Sequence, residues 1–201
     1  MLGNEAILEI SFLIDKAAEN FIKGLFLNQQ CSLGDRISCI DFTVNKIEAT
    51  APPFFKEAMS YSTKSPICLS IKGEKHAQYM HPEDEKFGQL LINNLLEKLK
   101  VSPMALAGNN EPILGTMPSF NFKLLSEPKS RLITMKAFTD QQTQVRGYDF
   151  KFELSAPVIL HEIGYYGGFG EKGSLGFGCV ESNLEGLIFG RNKNELTELD
   201  K

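Results

Sequence analysis

The sequence predicts an α+β fold. Stretches that alternate apolar and polar residues, as half-buried strands do, greatly outnumber stretches with the apolar spacing of a helix. The predicted order is β-α-β followed by β-α-β-β-β-α-β, which lacks the regular alternation of a doubly wound sheet. A hydrophobic fraction of 42% and a charged fraction of 23% are ordinary for a globular protein. The order suits two ferredoxin-like units in tandem, and the first is incomplete because it supplies only a strand, a helix and a strand.

The first predicted unit covers residues 1–62. A strand is predicted at "AILEISFL" (6–13) and a helix at "DKAAENFIKGLFLNQ" (15–29), where Asp15 is a favourable N-cap residue. The segment "DRISCIDFTVNKIEAT" (35–50) alternates again and predicts a second strand. The "APPFF" that follows ends this strand, because proline cannot donate to a central ladder.

The second predicted unit covers residues 63–190, and residues 191–201 form a polar tail. Its main helix, "HPEDEKFGQLLINNLLEKLK" (81–100), begins with acidic residues and ends with Lys98 and Lys100, as the helix dipole favours. The apolar stripe of this helix is predicted to be Phe87, Leu90, Leu91, Leu95 and Leu99. The other predicted elements are strands at "SPICLSIKG" (65–73), "SFNFKLL" (119–125), "RLITMKAFT" (131–139), "VRGYDFKFEL" (145–154) and "LGFGCVES" (175–182), and a short helical or turn segment at "APVILHEIGYYGG" (156–168). The segment "DQQTQ" is predicted to join two of these strands as a hairpin.

Charge and hydropathy restrict the function classes. The formal net charge of −4 argues against indiscriminate binding of polyanions. Residues 123–151 nevertheless carry six basic and three acidic side chains, so this segment is the first place where a nucleic acid would bind. The chain has no apolar run of the length that spans a membrane and no signal-like N-terminus, and we expect a cytoplasmic protein without membrane association.

The cysteines and histidines do not predict a metal site, and we expect no cofactor. The four cysteines are Cys31, Cys39, Cys68 and Cys179. They form no C-x-x-C pair and have no histidine at zinc-ligand spacing, so we interpret them as reduced strand or core residues. His76 and His81, near Glu83 and Asp84, straddle a proline-marked loop, and we interpret this region as the start of a helix.

The segment "GYYGGFGEKGSLGFGCVE" (164–181) holds seven of the 17 glycines. Gly168 to Gly173 matches G-x-G-x-x-G, but the dinucleotide motif needs a strand before it and a helix after it, and here the order is reversed. Lys172 precedes its glycine, so the phosphate-binding P-loop order is also absent. Two compatible interpretations remain: a tight turn with a bulge in the last strand, and a loop whose N–H groups, with Lys172 and Ser174, hold a phosphate backbone.

The glycine-rich segment resembles the C-terminal loop of the CRISPR-associated RAMP-superfamily endoribonucleases that cut precursor CRISPR RNA within its repeats (Cas-six type). Their pattern is roughly G-x-G-x(5)-G-[FS]-G, with Lys172 and Ser174 at familiar places inside it. The residues that fill the pattern are Gly168, Gly170, Gly176, Phe177 and Gly178. The segments "FIKGLFLNQQCSLGDRISCIDFTVNKIEATAPPFF", "STKSPICLSI", "PEDEKFGQLLINNLLEKL" and "VRGYDFKFELSAP" resemble family segments in the same order.

The resemblance implies two ferredoxin-like domains and metal-independent cleavage, in which the ribose 2′-OH attacks the adjacent phosphate and leaves a 2′,3′-cyclic phosphate. The implied partners are CRISPR repeat RNA or precursor crRNA, subunits of a CRISPR effector complex, and a second copy of the chain as a homodimer. From the resemblance and the local charge together, the candidate RNA-binding residues are Lys136, Arg146, Gly168, Gly170, Lys172, Ser174, Gly176 and Gly178. Lys136 and Arg146 are expected to project together from one end of the predicted hairpin.

The catalytic residues stay unassigned. Family members normally begin with a strand, a helix and a strand ahead of the segment resembling "AILEISFL", and their usual catalytic histidine lies there, whereas this sequence starts after it. His161 precedes the glycine-rich segment, and we interpret it as a packing or surface residue rather than a catalyst. The alternatives are therefore an endoribonuclease, an RNA-binding RAMP subunit without a nuclease centre, and a ferredoxin-like domain that binds a metabolite or protein and no RNA.

Three aromatic residues alternate in "VRGYDFKFEL". Tyr148, Phe150 and Phe152 lie two residues apart, so they share one face of a strand. Aromatic side chains on a ferredoxin-like sheet can stack on RNA bases, but we predict that these three belong to the core.

Overall fold

The computed structural model describes residues 5–34, 39–73, 77–105 and 117–182. Within these ranges no helix combines the length and the apolar character that crossing a membrane requires. In chain order the helices are α1 (Asp15–Asn28), α2 (Phe87–Val101) and α3 (Val158–Gly167). The strands are β1 (Gln30–Gly34), β2 (Cys39–Thr43), β3 (Ala58–Thr63), β4 (Ser70–Lys72), β5 (Ala77–Tyr79), β6 (Asn121–Leu124), β7 (Lys129–Met135), β8 (Thr143–Asp149), β9 (Lys151–Ser155) and β10 (Val180–Ser182).

A four-stranded antiparallel sheet forms the centre of the fold, with strand order β10-β3-β9-β6. Helix α2 connects β3 to β6, and helix α3 connects β9 to β10. Taken together, these elements run β-α-β-β-α-β, which is the ferredoxin-like arrangement. The protein is therefore an α+β protein of the ferredoxin-like type, as the sequence predicts.

Two hairpins are inserted into this unit. Strands β4 and β5 lie between β3 and α2, and strands β7 and β8 lie between β6 and β9. We call residues 129–149, which comprise β7, β8 and their turn, the arm. The predicted hairpin across "DQQTQ" is confirmed, because β7 pairs with β8 from Lys129↔Asp149 to Met135↔Thr143.

The core lies between the sheet and the two helices. The apolar stripe of α2 is buried against it, as predicted, except that Leu90 is only half-buried. The ring of Phe152 packs against those of Tyr61, Phe122 and Phe169. The prediction that Tyr148, Phe150 and Phe152 belong to the core is confirmed, since all three are buried.

Several predicted boundaries are wrong in the N-terminal part. Residues 6–12 form no strand, although they alternate; alternation marks faces but does not supply a hydrogen-bonding partner, and Ile7 is fully exposed. Asp15 is the first helical residue rather than the cap, which is Ile14. Of the strand predicted at 35–50, residues 39–43 form β2 and residues 44–50 form no strand, whereas 35–38 lie outside the described residues. Strand β2 pairs with β1, which was not predicted.

The central strand β3 is also absent from the prediction. Its sequence "AMSYST" is rich in serine and follows two prolines, so its alternation of Met59 and Tyr61 with polar residues is easily overlooked. The predicted strand at 65–73 contributes only the short β4, with Ile67 forming a bridge to Tyr148. The local composition does not predict these strands correctly, because a central strand depends on the strands that pair with it.

Three further elements differ from the prediction. Helix α2 begins at Phe87, so His81 and the acidic residues 83–85 lie in the turn ahead of it. The predicted strand at 145–154 is divided into β8, which pairs with β7 in the arm, and β9, which joins the central sheet. The last strand is reduced to β10, and a single 3-10 turn, Gly173–Leu175, precedes it.

Phe152 tests the position of the core. Phe152→Ala should lower the free energy of unfolding by about 3–5 kcal/mol, because the ring is fully buried and its removal leaves a cavity. Urea denaturation followed by circular dichroism measures this loss. The control is Phe138→Ala in the arm, where the ring is 91% exposed and the change should stay within about 0.5 kcal/mol. Equal losses for the two variants would contradict the described core.

Candidate functional site

The segment between α3 and β10 forms a tight loop, which we call the glycine-rich loop (residues 168–178). Gly168, Gly170, Gly176 and Gly178 have φ angles of 78°, 81°, 85° and 76°. These angles lie in the left-handed region, which a side chain with a Cβ rarely adopts. Lys172 also has a positive φ, of 60°, and is one of the few non-glycine residues that do. The glycines are therefore required by the path of the backbone.

Main-chain groups pack directly against one another inside the loop. The N–H of Phe169 donates to the carbonyl of Gly178 at 2.8 Å, and a Cβ on Gly178 would overlap the Phe169 carbonyl oxygen. A Cβ on Gly170 would lie 2.6 Å from the carbonyl oxygen of Cys68. The chain therefore approaches itself at distances that only glycine allows.

The ammonium group of Lys98, at the end of α2, lies beneath this loop. It donates to the carbonyl oxygens of Gly167 at 3.0 Å, of Gly170 at 2.6 Å, and of Gly168. The first of these carbonyls belongs to the last residue of α3, so Lys98 also caps that helix end. Burial lowers the pKa of Lys98 to about 8.

Glu171 fixes the loop from its other side. Its N–H donates to the carbonyl of Cys68 at 2.8 Å, and its carboxylate accepts from the N–H of Ser70 at 2.8 Å and from the Ser70 hydroxyl at 3.0 Å. The hydrogen bonds of this carboxylate are therefore made with Ser70 of strand β4. Glu171 is a structural residue of the loop and does not neutralise its outer surface.

The outer side of the loop carries Lys172 and Ser174. In the part of the chain that the structure describes, the Lys172 ammonium has neither an ion-pair partner nor a hydrogen-bond acceptor, and Ser174 is exposed. In the 3-10 turn, the N–H of Leu175 donates to Lys172 and that of Gly176 donates to Gly173. The N–H groups of Gly173 and Ser174 have no acceptor inside the turn. These two N–H groups and the ammonium of Lys172 are the candidates for contact with an anion.

The arm lies beside the loop, and a small apolar cluster joins them. Phe177 of the loop and Cys68 pack with Val145, Ile133 and Met135 of the arm. The inner face of the arm is therefore buried against the underside of the glycine-rich loop. The candidate residues of the loop and of the arm belong to one connected part of the molecule.

Lys136 and Arg146 do not project together from the end of the hairpin, contrary to expectation. Arg146 lies within β8, opposite Leu132, on the face of the arm that is exposed. Lys136 follows the last residue of β7 with a φ of 50°, and its ammonium donates to Gln141. The register places Arg146 in the middle of the ladder, which sequence spacing alone could not reveal.

His161 is a core residue, as the sequence interpretation favours. The Tyr61 hydroxyl donates to its Nδ1 at 2.9 Å, and its Nε2 donates to the carbonyl of Glu57 at 3.2 Å. Burial lowers the pKa of His161, which keeps the imidazole neutral. Both ring nitrogens are occupied and the side chain is buried, so it cannot reach a substrate.

The remaining candidates for metal or acid–base chemistry are scattered. His81 packs edge-on against Tyr148 and accepts from the N–H of Glu83 at 3.3 Å, whereas His76 lies outside the described residues. The described cysteines are free thiols, and burial raises the pKa of Cys68 to about 11. Among the described residues no cluster of three or more His, Cys, Asp or Glu could hold a metal.

The loop and the fold match a known protein family. The family model for the C-terminal part of the CRISPR-associated protein Cas6 matches residues 49–182. The chain belongs to the Cas6 family. The match covers the whole ferredoxin-like unit, from β3 to β10, and includes the glycine-rich loop.

Individual Cas6 relatives agree with this assignment. The chain is 28% identical over 180 residues to an endoribonuclease-like protein Cas6 of Pyrococcus furiosus, covering 86% of this chain and 68% of the relative. It is 28% identical over 184 residues to a CRISPR-associated endoribonuclease Cas6 of Methanocaldococcus jannaschii, covering 89% and 64%. A solved RAMP protein, described as binding different RNA substrates, has the same fold with a TM-score of 0.63 at 21% identity, covering 85% and 65%. The chain spans about two thirds of the length of these proteins.

Sequence reasoning missed the residues that hold the loop from beneath. Lys98 was expected only to favour the C-terminal end of its own helix, and Glu171 was part of a motif without an assigned partner. Lys98 is 69 residues before Gly167, and Ser70 is 101 residues before Glu171, so no local pattern connects them.

Two glycines of the loop separate backbone strain from steric overlap. Gly178→Ala should lower the free energy of unfolding by roughly 3 kcal/mol or more, because a Cβ overlaps the Phe169 main chain and the φ of 76° is unfavourable. Gly176→Ala is the matched control: its φ is 85°, but the space around a Cβ is open, so we expect a loss of only about 1 kcal/mol. Thermal and urea denaturation measure both. Equal losses would mean that the close approach of Phe169 and Gly178 does not constrain the loop.

Proposed function

We propose that this chain binds CRISPR repeat RNA through the outer side of the glycine-rich loop and the exposed face of the arm. The observation that carries the proposal is the division of the loop into two sides. The inner side is filled by Lys98, Glu171 and Phe177. The outer side offers N–H donors and the ammonium of Lys172, which has no ion-pair partner among the described residues. Such a surface suits a phosphate backbone, since N–H groups and cations contact phosphates without reading bases.

The names of relatives support RNA as the ligand. The Pyrococcus furiosus and Methanocaldococcus jannaschii relatives are described as endoribonuclease-like and endoribonuclease proteins, and the RAMP protein with the same fold is described as binding RNA. The proposed contacts on the exposed surface are Lys136, Arg146, Lys172, Ser174 and Gly176. The other predicted residues, Gly168, Gly170 and Gly178, would act by shaping the loop, because the carbonyls of Gly168 and Gly170 bond to Lys98, and Gly170 and Gly178 are buried. The division into residues 1–62, 63–190 and 191–201 stays a prediction, and its first boundary falls within β3 (Ala58–Thr63) of the ferredoxin-like unit. Subunits of an effector complex and a second copy of the chain are proposed as further partners.

The proposed reaction is metal-independent cleavage of precursor crRNA. A base removes the proton of a ribose 2′-OH, the 2′ oxygen bonds to the adjacent phosphorus, and the bond from phosphorus to the 5′ oxygen breaks. The leaving oxygen takes up a proton, and the products are a 2′,3′-cyclic phosphate and a 5′-OH. The loop's N–H groups and Lys172 would stabilise the charge on the phosphorane.

The second candidate function is RNA binding without cleavage. One observation favours this function: neither of the two described histidines lies on the proposed RNA-binding surface. His161 is buried between Tyr61 and Glu57, and His81 lies in the turn before α2. The binding surface, in contrast, is complete without a histidine.

A cleavage assay in EDTA distinguishes the two functions. The probe is end-labelled RNA of one repeat from the CRISPR array of the same genome. An endoribonuclease should release a fragment whose 3′ end resists phosphatase until acid opens the cyclic phosphate. RNA with a single 2′-deoxyribose at the cleaved position should remain intact, because the nucleophile is missing. A shifted but uncut band would support the binding function, and neither cleavage nor a shift would overturn both.

Lys172 and Arg146 test the proposed surface. Lys172→Ala and Arg146→Ala should each weaken repeat binding roughly 3- to 10-fold and reduce the slope of log affinity against log salt by about 0.7, because each removes about one phosphate contact. Fluorescence anisotropy at several salt concentrations measures both quantities. Lys16→Ala is the control, since this exposed lysine of α1 contacts Glu19. If all three variants bind the repeat RNA with the same affinity, the RNA-binding surface lies elsewhere on the protein.

A further inference from the structure

Lys98 makes an unusual set of contacts. All three N–H bonds of its ammonium are directed at carbonyls, those of Gly167, Gly168 and Gly170. These oxygens come from the end of α3 and the first turn of the glycine-rich loop. A single side chain of α2 therefore holds three carbonyls at the point where the loop leaves α3.

The positive charge of Lys98 has no carboxylate partner among the described residues. Glu171 directs its carboxylate to Ser70, and Glu97, on the same helix as Lys98, pairs with Lys100 at 2.6 Å. The Cys68 thiol and the Tyr79 hydroxyl lie nearby, and burial raises the pKa of each. The other charged groups in this region are Glu171, whose carboxylate bonds to Ser70, and Lys172, which is also a cation. The three carbonyls and the negative end of α3 compensate the charge of Lys98 only in part.

A half-buried charge that has no carboxylate partner is costly in the free protein. The lowered pKa of Lys98 is the expression of that cost. A bound phosphate on the loop would supply the missing negative charge and would favour the protonated form. The charge of Lys98 therefore lowers the stability of the free protein and would stabilise the complex with RNA.

We propose that Lys98 is the positioning residue of the glycine-rich loop, and that its buried charge becomes balanced only when an RNA phosphate lies on the loop. This inference rests on the proposed function, because it assumes that the loop binds RNA. It adds that repeat binding is coupled to the proton of Lys98. Lys98 acts through the loop backbone and does not itself touch the RNA.

The coupling has a defined sign. If the bound phosphate raises the proton affinity of Lys98, RNA binds more tightly to the protonated protein. Affinity is then highest below the pKa of about 8 in the free protein and falls as the pH rises through it. At about pH 8, binding should take up a fraction of one proton from the buffer.

Binding of the labelled repeat RNA between about pH 7 and 9 tests this coupling. For the wild-type chain we expect a loss of affinity of roughly 3- to 10-fold across this interval. Lys98→Arg should bind with little dependence on pH, since a guanidinium remains charged throughout. Lys98→Met should bind weakly at every pH, and Lys100→Met, on the exposed side of the same helix, should behave like the wild type.

Calorimetry on the wild-type chain gives a second readout that needs no variant. Titration at about pH 8 in two buffers with different ionisation enthalpies reports the protons taken up on binding. A Lys98 that only stabilises the fold would change the melting temperature but not this proton uptake. Tight wild-type binding with no uptake and no pH dependence would overturn the inference while leaving the proposed function intact. Absence of wild-type binding at every pH would overturn the proposed function and the inference with it.

Discussion

The ring of Phe169 is the contact on which the candidate site depends. It is the residue of the glycine-rich loop that enters the main core, where it packs against Tyr61 and Phe152. To reach this position the ring lies over Gly164 of α3, where any Cβ would overlap it. Its main chain lies against Gly178, where a Cβ would overlap as well. The glycines thus serve two purposes, since they accommodate one buried aromatic ring and also leave the backbone bare.

This anchor explains how a loop with so little side-chain volume keeps a defined shape. Glycine costs more conformational entropy on folding than other residues, so a glycine-rich loop needs specific contacts to stay ordered. Here Phe169 attaches the loop to the core, Phe177 attaches it to the arm, and the contacts of Lys98 and Glu171 fix its carbonyl and N–H groups. A loop held at so many points meets its ligand preorganised, which lowers the entropic cost of binding.

The sequence revealed those features whose cause is local. The stripe of α2, the arm hairpin and the glycine motif each follow from a pattern within one segment, and the structure has all of them. It did not reveal β3, whose identity depends on having β9 and β10 as neighbours. The absence of a strand at residues 6–12 has the same explanation, because the local alternation there finds no pairing partner.

The same distinction between local and long-range causes applies to the candidate site. The glycines and Lys172 could be predicted because the loop is continuous in the chain, but the support beneath it could not. Lys98 was recognisable only as a lysine near a helix end, and its contacts with the loop depend on how α2 packs beside α3. Arg146 was placed at a hairpin tip, whereas the register of β7 and β8 puts it in the middle of the ladder.

The charge of Lys98 has opposite consequences for folding and for binding. In the unfolded chain this lysine titrates near its ordinary pKa, and in the folded protein its pKa is lower, at about 8. Between these two values the unfolded state binds more protons than the folded state, so the stability of the free protein increases as the pH rises. RNA affinity, under the proposed coupling, decreases over the same interval. A group that only stabilises the fold would make the stability depend on pH and would leave the RNA affinity independent of pH. The opposite signs are those of a residue whose charge opposes stability in the free protein and favours the bound state.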